Sequence, residues 1–248
     1  MPAARTRSRL LPTAALVIVV GGLGFAAAAR LPAPGGAAAR PALPAASGSI
    51  ARTGSQNQPL VPQVSLAGLV WSDLYGVELP ASAAAGPRDM SGGIAAGFAH
   101  SPLGALLAAV NIGVRANAQW GPRIFAAVIR GQVTGPDAAA LLANCQMAYG
   151  QASQSEGVTG GGPLGTAVVT EEAFRWVAYT PAAAVIDLVS AGPGGQGTTV
   201  RASTQIQVVW DGGDWKVLAP PGGDWGNAAT ELSSLAGYTV FPGQGGGR

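Results

Sequence analysis

The sequence predicts an α+β protein in which three N-terminal helices pack on a curved four-stranded antiparallel sheet, behind one transmembrane helix. Three observations predict this. Residues 10–29 are twenty uncharged residues between Arg9 and Arg30, and at 1.5 Å per residue they would make about 30 Å of helix, one hydrocarbon core. Between Ser101 and Tyr149, apolar residues recur at helical spacing behind Ser-Pro and Gly-Pro steps. After Gly165 the apolar period changes from 3.6 to 2.

The basic N-terminal tail, residues 1–9, carries Arg5, Arg7 and Arg9 and places the N-terminus in the cytoplasm and the body outside. A cleavable signal peptide competes with a retained anchor, because Ala26 to Ala29 are small residues of the kind cleaved there. In either case the body is exported. Residues 30–63 are rich in Ala, Pro, Gly and Ser with no apolar period, a composition that spaces rather than folds. The folded domain is expected over residues 64–241, with a flexible tail over 242–248.

Charge excludes one class of partner. Six of the fourteen basic residues precede the first acid, Asp73, which leaves the body eight basic against twelve acidic residues. A mildly acidic body lacks the clustered Lys and Arg that a duplex-binding surface needs, so no direct nucleic-acid binding by the folded domain is expected.

In the first helix, Ser101 is the expected N-cap and Pro102 the first helical residue, with Leu103, Leu107, Val110 and Val114 as one stripe. Gly104 and Gly113 weaken it unless close packing requires them. The second helix starts at Pro122 and carries Ile124, Phe125, Val128 and Ile129. The third starts at Pro136 and carries Leu141, Leu142, Cys145 and Tyr149. A loop is expected from Gly150 to Gly165. Phe174–Thr180 and Ala183–Ser190 then read as strands joined by a tight turn, and a long strand begins at Thr198 with its even positions buried.

Gly-Gly-Asp-Trp occurs twice, at 212–215 and at 222–225. In the first copy Gly212 and Gly213 suit a two-residue hairpin turn, with Asp211 and Asp214 flanking it and Trp210 opposite Trp215. The second follows Pro220 and Pro221, which end the strand. It reads as an irregular turn into a short helix over Asn227 to Leu235. Trp225 then either folds back over the sheet or faces a partner.

Residues able to carry chemistry are few. Cys145, the single cysteine, excludes an intramolecular disulfide and reads as a buried small hydrophobe. His100, the single histidine, has no carboxylate or cysteine near it in sequence and reads as a loop residue. No G-x-S-x-G or G-x-x-x-x-G-K-[ST] occurs, and the glycine-rich stretches read as connections. Glu171 and Glu172 begin the sheet. Asp187 alternates with Ile186 and Leu188 and either faces solvent or points into a cavity, where Tyr149 is the other candidate. No catalytic residue, metal site or cofactor is expected.

Three segments carry a resemblance: GFAHSPLGALLAAVNIGVR (Gly97 to Arg115), RWVAYTPAAAVIDLVSAG (Arg175 to Gly192) and VVWDGGDWKVLAPPGGDWG (Val208 to Gly226). They are similar to segments of actinobacterial membrane proteins of integrative conjugative elements. Those in turn resemble TcpC-like conjugation proteins and the VirB-type inner-membrane scaffold of type IV secretion. The resemblance implies a nuclear transport factor 2-like fold and a non-enzymatic assembly component of a conjugative transfer or secretion apparatus. It further implies homo-oligomers and contacts with other channel proteins, for which Trp225, Tyr238 and Phe241 are the expected exposed surface. The alternative is an exported small-molecule-binding or catalytic domain that uses the cavity of the same fold.

Overall fold

The computed structural model describes residues 61–243; the expected anchor, spacer and terminal tail fall largely outside them. Among the described residues no helix is long and apolar enough to cross a membrane. The first element among the described residues is a hairpin, β1 (Val70–Leu74) and β2 (Val77–Ala81), which forms its own two-stranded sheet. Three helices follow: α1 (Pro102–Arg115), α2 (Pro122–Gln132) and α3 (Ala138–Glu156). A two-residue strand, β3 (Val133–Thr134), lies between the last two. The remaining strands are β4 (Thr170–Tyr179), β5 (Ala183–Pro193), β6 (Thr199–Asp211), β7 (Asp214–Leu218), β8 (Ala229–Glu231) and β9 (Thr239–Val240).

This corrects the expected fold class. Among the described residues the main sheet has seven strands, in the order β3-β7-β6-β5-β4-β9 with β8 also on β6, and it is mixed because β3 runs parallel to β7. The four-stranded antiparallel sheet of a nuclear transport factor 2-like domain is therefore not the architecture present. The added strands are only two or three residues long, too short to leave an alternation in the sequence. The helices occupy the middle of the described chain, between the first hairpin and the long strands.

α1 is the core of the molecule. Ser101 Oγ accepts the Gly104 N–H, as an N-cap does, and Pro102 opens the first turn. Gly104 through Arg115 are all buried, where a single apolar stripe was expected, because α1 packs against the sheet as well as against α2 and β2. The two glycines make this possible. A Cβ on Gly104 would lie 2.0 Å from the Ala99 carbonyl oxygen, and one on Gly113 would lie 2.7 Å from Ile206 Cδ1.

α3 runs through Glu156, seven residues into the expected loop, and stops at Gly157 in the left-handed conformation. No breaker stands before that glycine in the polar run QASQSE. The expected helix over 227–235 is instead a short 3-10 turn, Trp225–Ala228, followed by β8, which pairs with β6 from Ala202 to Thr204.

Both Gly-Gly-Asp-Trp copies fix the architecture, in different ways. At the first, Gly212 and Gly213 have φ of 64° and 91°, and Trp210 faces Trp215 across the ladder. Asp214 then accepts backbone N–H bonds from Gly97, Phe98 and Trp215 at 2.7, 3.0 and 2.9 Å, which ties the hairpin to the loop entering α1. His100 stacks on Trp210 with ring centroids 4.1 Å apart. The second copy locks onto α3: Asn144 donates to the Gly222 and Gly223 carbonyls, and Trp225 Nε1 donates to the Ala116 carbonyl at 3.0 Å.

Candidate functional site

The two faces of the main sheet differ in chemistry. The helix-facing side carries Phe174, Trp176, Ile186, Leu188, Ile206 and Val208, all buried. The other side carries a polar rung in which Arg175 on β4 faces Asp187 on β5, which faces Gln205 on β6. The alternation of a strand places these three together once the register is set.

The rung is fully bonded around its carboxylate. Arg175 donates to Asp187 Oδ2 from Nη2 at 2.5 Å and from Nε at 3.2 Å, and Gln205 Nε2 donates to Oδ1 at 3.2 Å. Arg175 also lies over the Tyr238 ring, 4.6 Å from its centroid, and Tyr238 Oη is bonded to Ser203 Oγ at 3.0 Å. The hydrogen bond that Arg175 donates to Asp187 raises the pKa of its guanidinium, which keeps it charged. The net charge of the rung is zero.

The segment after β7 turns this face into a cleft of about 570 Å³. Pro220 and Pro221 lead the chain away from the sheet, β8 brings it back onto β6, and Leu232, Ala236 and Tyr238 close the far side. The cleft is within the size range of binding sites. Its floor also presents Gln207, which is exposed and makes no side-chain hydrogen bond among the described residues.

Of the two residues proposed for a cavity, Asp187 lines this cleft and Tyr149 does not. Tyr149 lies on α3 beside Phe125 and donates to the Gly162 carbonyl at 2.8 Å. The exposed surface expected from Trp225, Tyr238 and Phe241 does not form. Trp225 and Phe241 are buried, the latter against Trp71 and Phe174, and Tyr238 is half-buried over Arg175. Each meets a demand inside the chain, which is the common fate of large aromatics.

The remaining titratable candidates are internal. Cys145 is buried between α3 and the end of α1, and burial pushes its thiol up to about 12. Glu171 is fully buried, and desolvation raises it to about 8 although Ser190 Oγ donates to both carboxylate oxygens, at 3.0 and 2.9 Å. Burial lowers Arg115 to about 10 while it donates to the backbone and side-chain oxygens of Asn111. Among the described residues no group of three His, Cys, Asp or Glu is placed to hold a metal ion.

Sequence reasoning missed Arg175, Gln205 and Gln207. The signal was partly present: Asp187 and Gln205 pair in the regular register of β5 and β6. Arg175 could not be found that way, because a bulge between Trp176 and Ala178 shifts β4 by one residue. Without it, Trp176 would stand opposite Asp187.

The family described as "Domain of unknown function (DUF8175)" matches residues 32–240. No curated protein and no solved structure matches the chain.

Proposed function

The chain belongs to the DUF8175 family, a domain of unknown function, and we propose that it is a membrane-anchored, non-enzymatic assembly component of a conjugative DNA transfer or type IV secretion-like apparatus. It acts by protein–protein contacts of its exported domain, with the cleft on the outer sheet face as the contact site. The observation that carries the non-enzymatic reading is the state of Asp187. Among the described residues lining the cleft Asp187 is the one carboxylate, and both its oxygens are engaged, by Arg175 and Gln205, an arrangement that favours a structural role over that of a general base.

Sequence supports the rest of the reading. An apolar segment with arginines before it, a proline-rich spacer and a folded body in that order suit a tethered domain that reaches a neighbour. The three segments resembling conjugation proteins include both Gly-Gly-Asp-Trp copies, which anchor the loop before α1 and the face of α3. The resemblance therefore falls on residues that build the domain, and the cleft is where they leave polar groups open.

Mild crosslinking in the native membrane, detergent solubilisation and capture of the full-length chain test the proposal. Mass spectrometry is expected to identify channel subunits or a secretion ATPase among the captured proteins. Recovery of the chain alone, under conditions that crosslink known membrane complexes, would overturn it.

A further inference from the structure

Where the second Gly-Gly-Asp-Trp copy meets α3, the two enclose a pocket of about 270 Å³, separate from the sheet-face cleft. Close approach holds the copy there. Gly223 has φ of 65°, and Asn144 of α3 donates to the Gly222 and Gly223 carbonyls at 3.2 and 2.8 Å. The pocket is lined in its interior by Leu141, Cys145 and Trp225, all buried. Two polar side chains on its lining keep an acceptor free. Half-buried Asp224 accepts the Gly226 N–H on Oδ1 at 2.8 Å, and its Oδ2 accepts no hydrogen bond among the described residues. Asn144 spends Nδ2 on the two glycine carbonyls, which leaves Oδ1 open. No Lys, Arg or His lines the pocket. The ion pairs among the described residues join Arg175 to Asp187, Arg201 to Glu172 and Lys216 to Asp211, and none includes Asp224. Burial is the main cause of the raised Cys145 thiol, and the Asp224 charge adds to it, so that charge acts on the pocket's interior.

We propose that this pocket binds a small organic ammonium carrying a single apolar ring, with the ammonium on Asp224 and Asn144 Oδ1 and the ring against Leu141, Cys145 and Trp225. Charge selects the cation. A half-buried carboxylate gains from a counter-ion that reaches it, and a charge-assisted N–H···O bond is roughly twice as strong as a neutral one. An ammonium brings three donors, enough for both acceptors. An anion would meet the Asp224 charge with no basic side chain beside it. A divalent metal ion takes several oxygen ligands, and Asp224 is the one carboxylate among the described residues of the lining. Size selects the body of the ligand. At about 270 Å³ the pocket lies below the range of drug-sized sites, which limits the occupant to one ring on a short chain. This site is independent of the contact function proposed for the sheet face.

Thermal melts of the full-length chain in detergent, followed by circular dichroism, test the proposal with 2-phenylethylammonium. A dissociation constant of about 1 mM is expected for so small a ligand. At ten times that concentration the unfolding equilibrium constant of the parent is expected to fall about tenfold. Asp224→Asn keeps an oxygen for the Gly226 N–H and removes the charge. Its affinity is expected to be about tenfold weaker, so the same concentration lowers its unfolding constant about twofold. Ala148→Phe, which fills the pocket from α3, is expected to abolish the effect, and Gln146→Phe, on the exposed surface of the same helix, to preserve it. Phenylacetate and 2-phenylethanol, of the same shape without the positive charge, are expected to stabilise the parent far less. Equal stabilisation of the parent by either of them, or of parent and Asp224→Asn by the ammonium, would overturn the proposal. So would no stabilisation of the parent at about 10 mM. Equal binding of N-acetyl-lysine amide would also overturn it, in favour of a partner protein's side chain.

Discussion

Two buried side chains make opposite statements about pH and reactivity at the scale of the residue. Glu171, raised to about 8 by desolvation, is neutral in the folded protein at pH values where the unfolded chain has already ionised it. Its stabilisation is complete below the unfolded value of 4.5 and is lost as pH rises toward about 8. Between those limits this group lowers stability by about 1.4 kcal/mol per pH unit. Glu171→Gln keeps a polar partner for Ser190, and denaturant melts from pH 4 to 9 are expected to show its slope flattened relative to the parent. Cys145, with its thiol pushed up to about 12, is expected to react with iodoacetamide at pH 8 only on unfolding. Mass spectrometry with and without denaturant reads this directly. The burial of Cys145 was legible from its apolar helical neighbours. That of Glu171 was not, because a bulge after Glu171 sends it inward and leaves Glu172 to pair with Arg201 on the outer face.

The tetrapeptide that occurs twice supplies the predictions at the scale of the element. Asp214 accepts three backbone N–H bonds and joins the β6–β7 hairpin to the loop before α1. Asp214→Ala is expected to cost about 2–3 kcal/mol in urea melts, since it leaves those donors unpaired. Asp211→Ala removes only an exposed pair with Lys216 and is expected to cost less than about 1 kcal/mol. In the second copy Gly223 has φ of 65°, and a Cβ there would lie 2.2 Å from the Leu141 nitrogen. Gly223→Ala is expected to cost at least about 2 kcal/mol and to release Trp225, which fluorescence would report as a shift to the red. The first copy was legible because two glycines between alternating strands allow one turn and hence one register. The second was not, because its meaning lies in a contact with α3, whose residues stand some eighty positions earlier in the chain. Nor did the sequence expose β8, a strand that exists where β6 leaves an edge for it to pair with.

At the scale of the whole molecule, the sequence leads to the expectation of a tether, and the described domain carries a cleft on its outer sheet face. The cleft gathers Arg175, Asp187, Gln205, Gln207 and Tyr238 from strands and a returning segment, and no local pattern announces such a gathering. Its charge is settled internally between Arg175 and Asp187, and the exposed Gln207 side-chain amide makes no hydrogen bond among the described residues. The most direct measurement is photo-crosslinking in the native membrane from benzoylphenylalanine placed at position 207, with the same group at exposed position 146 as comparison. The account predicts an adduct from position 207, absent from position 146, that mass spectrometry identifies as a transfer or secretion component. No adduct from 207, or equal adducts from both positions, would contradict it.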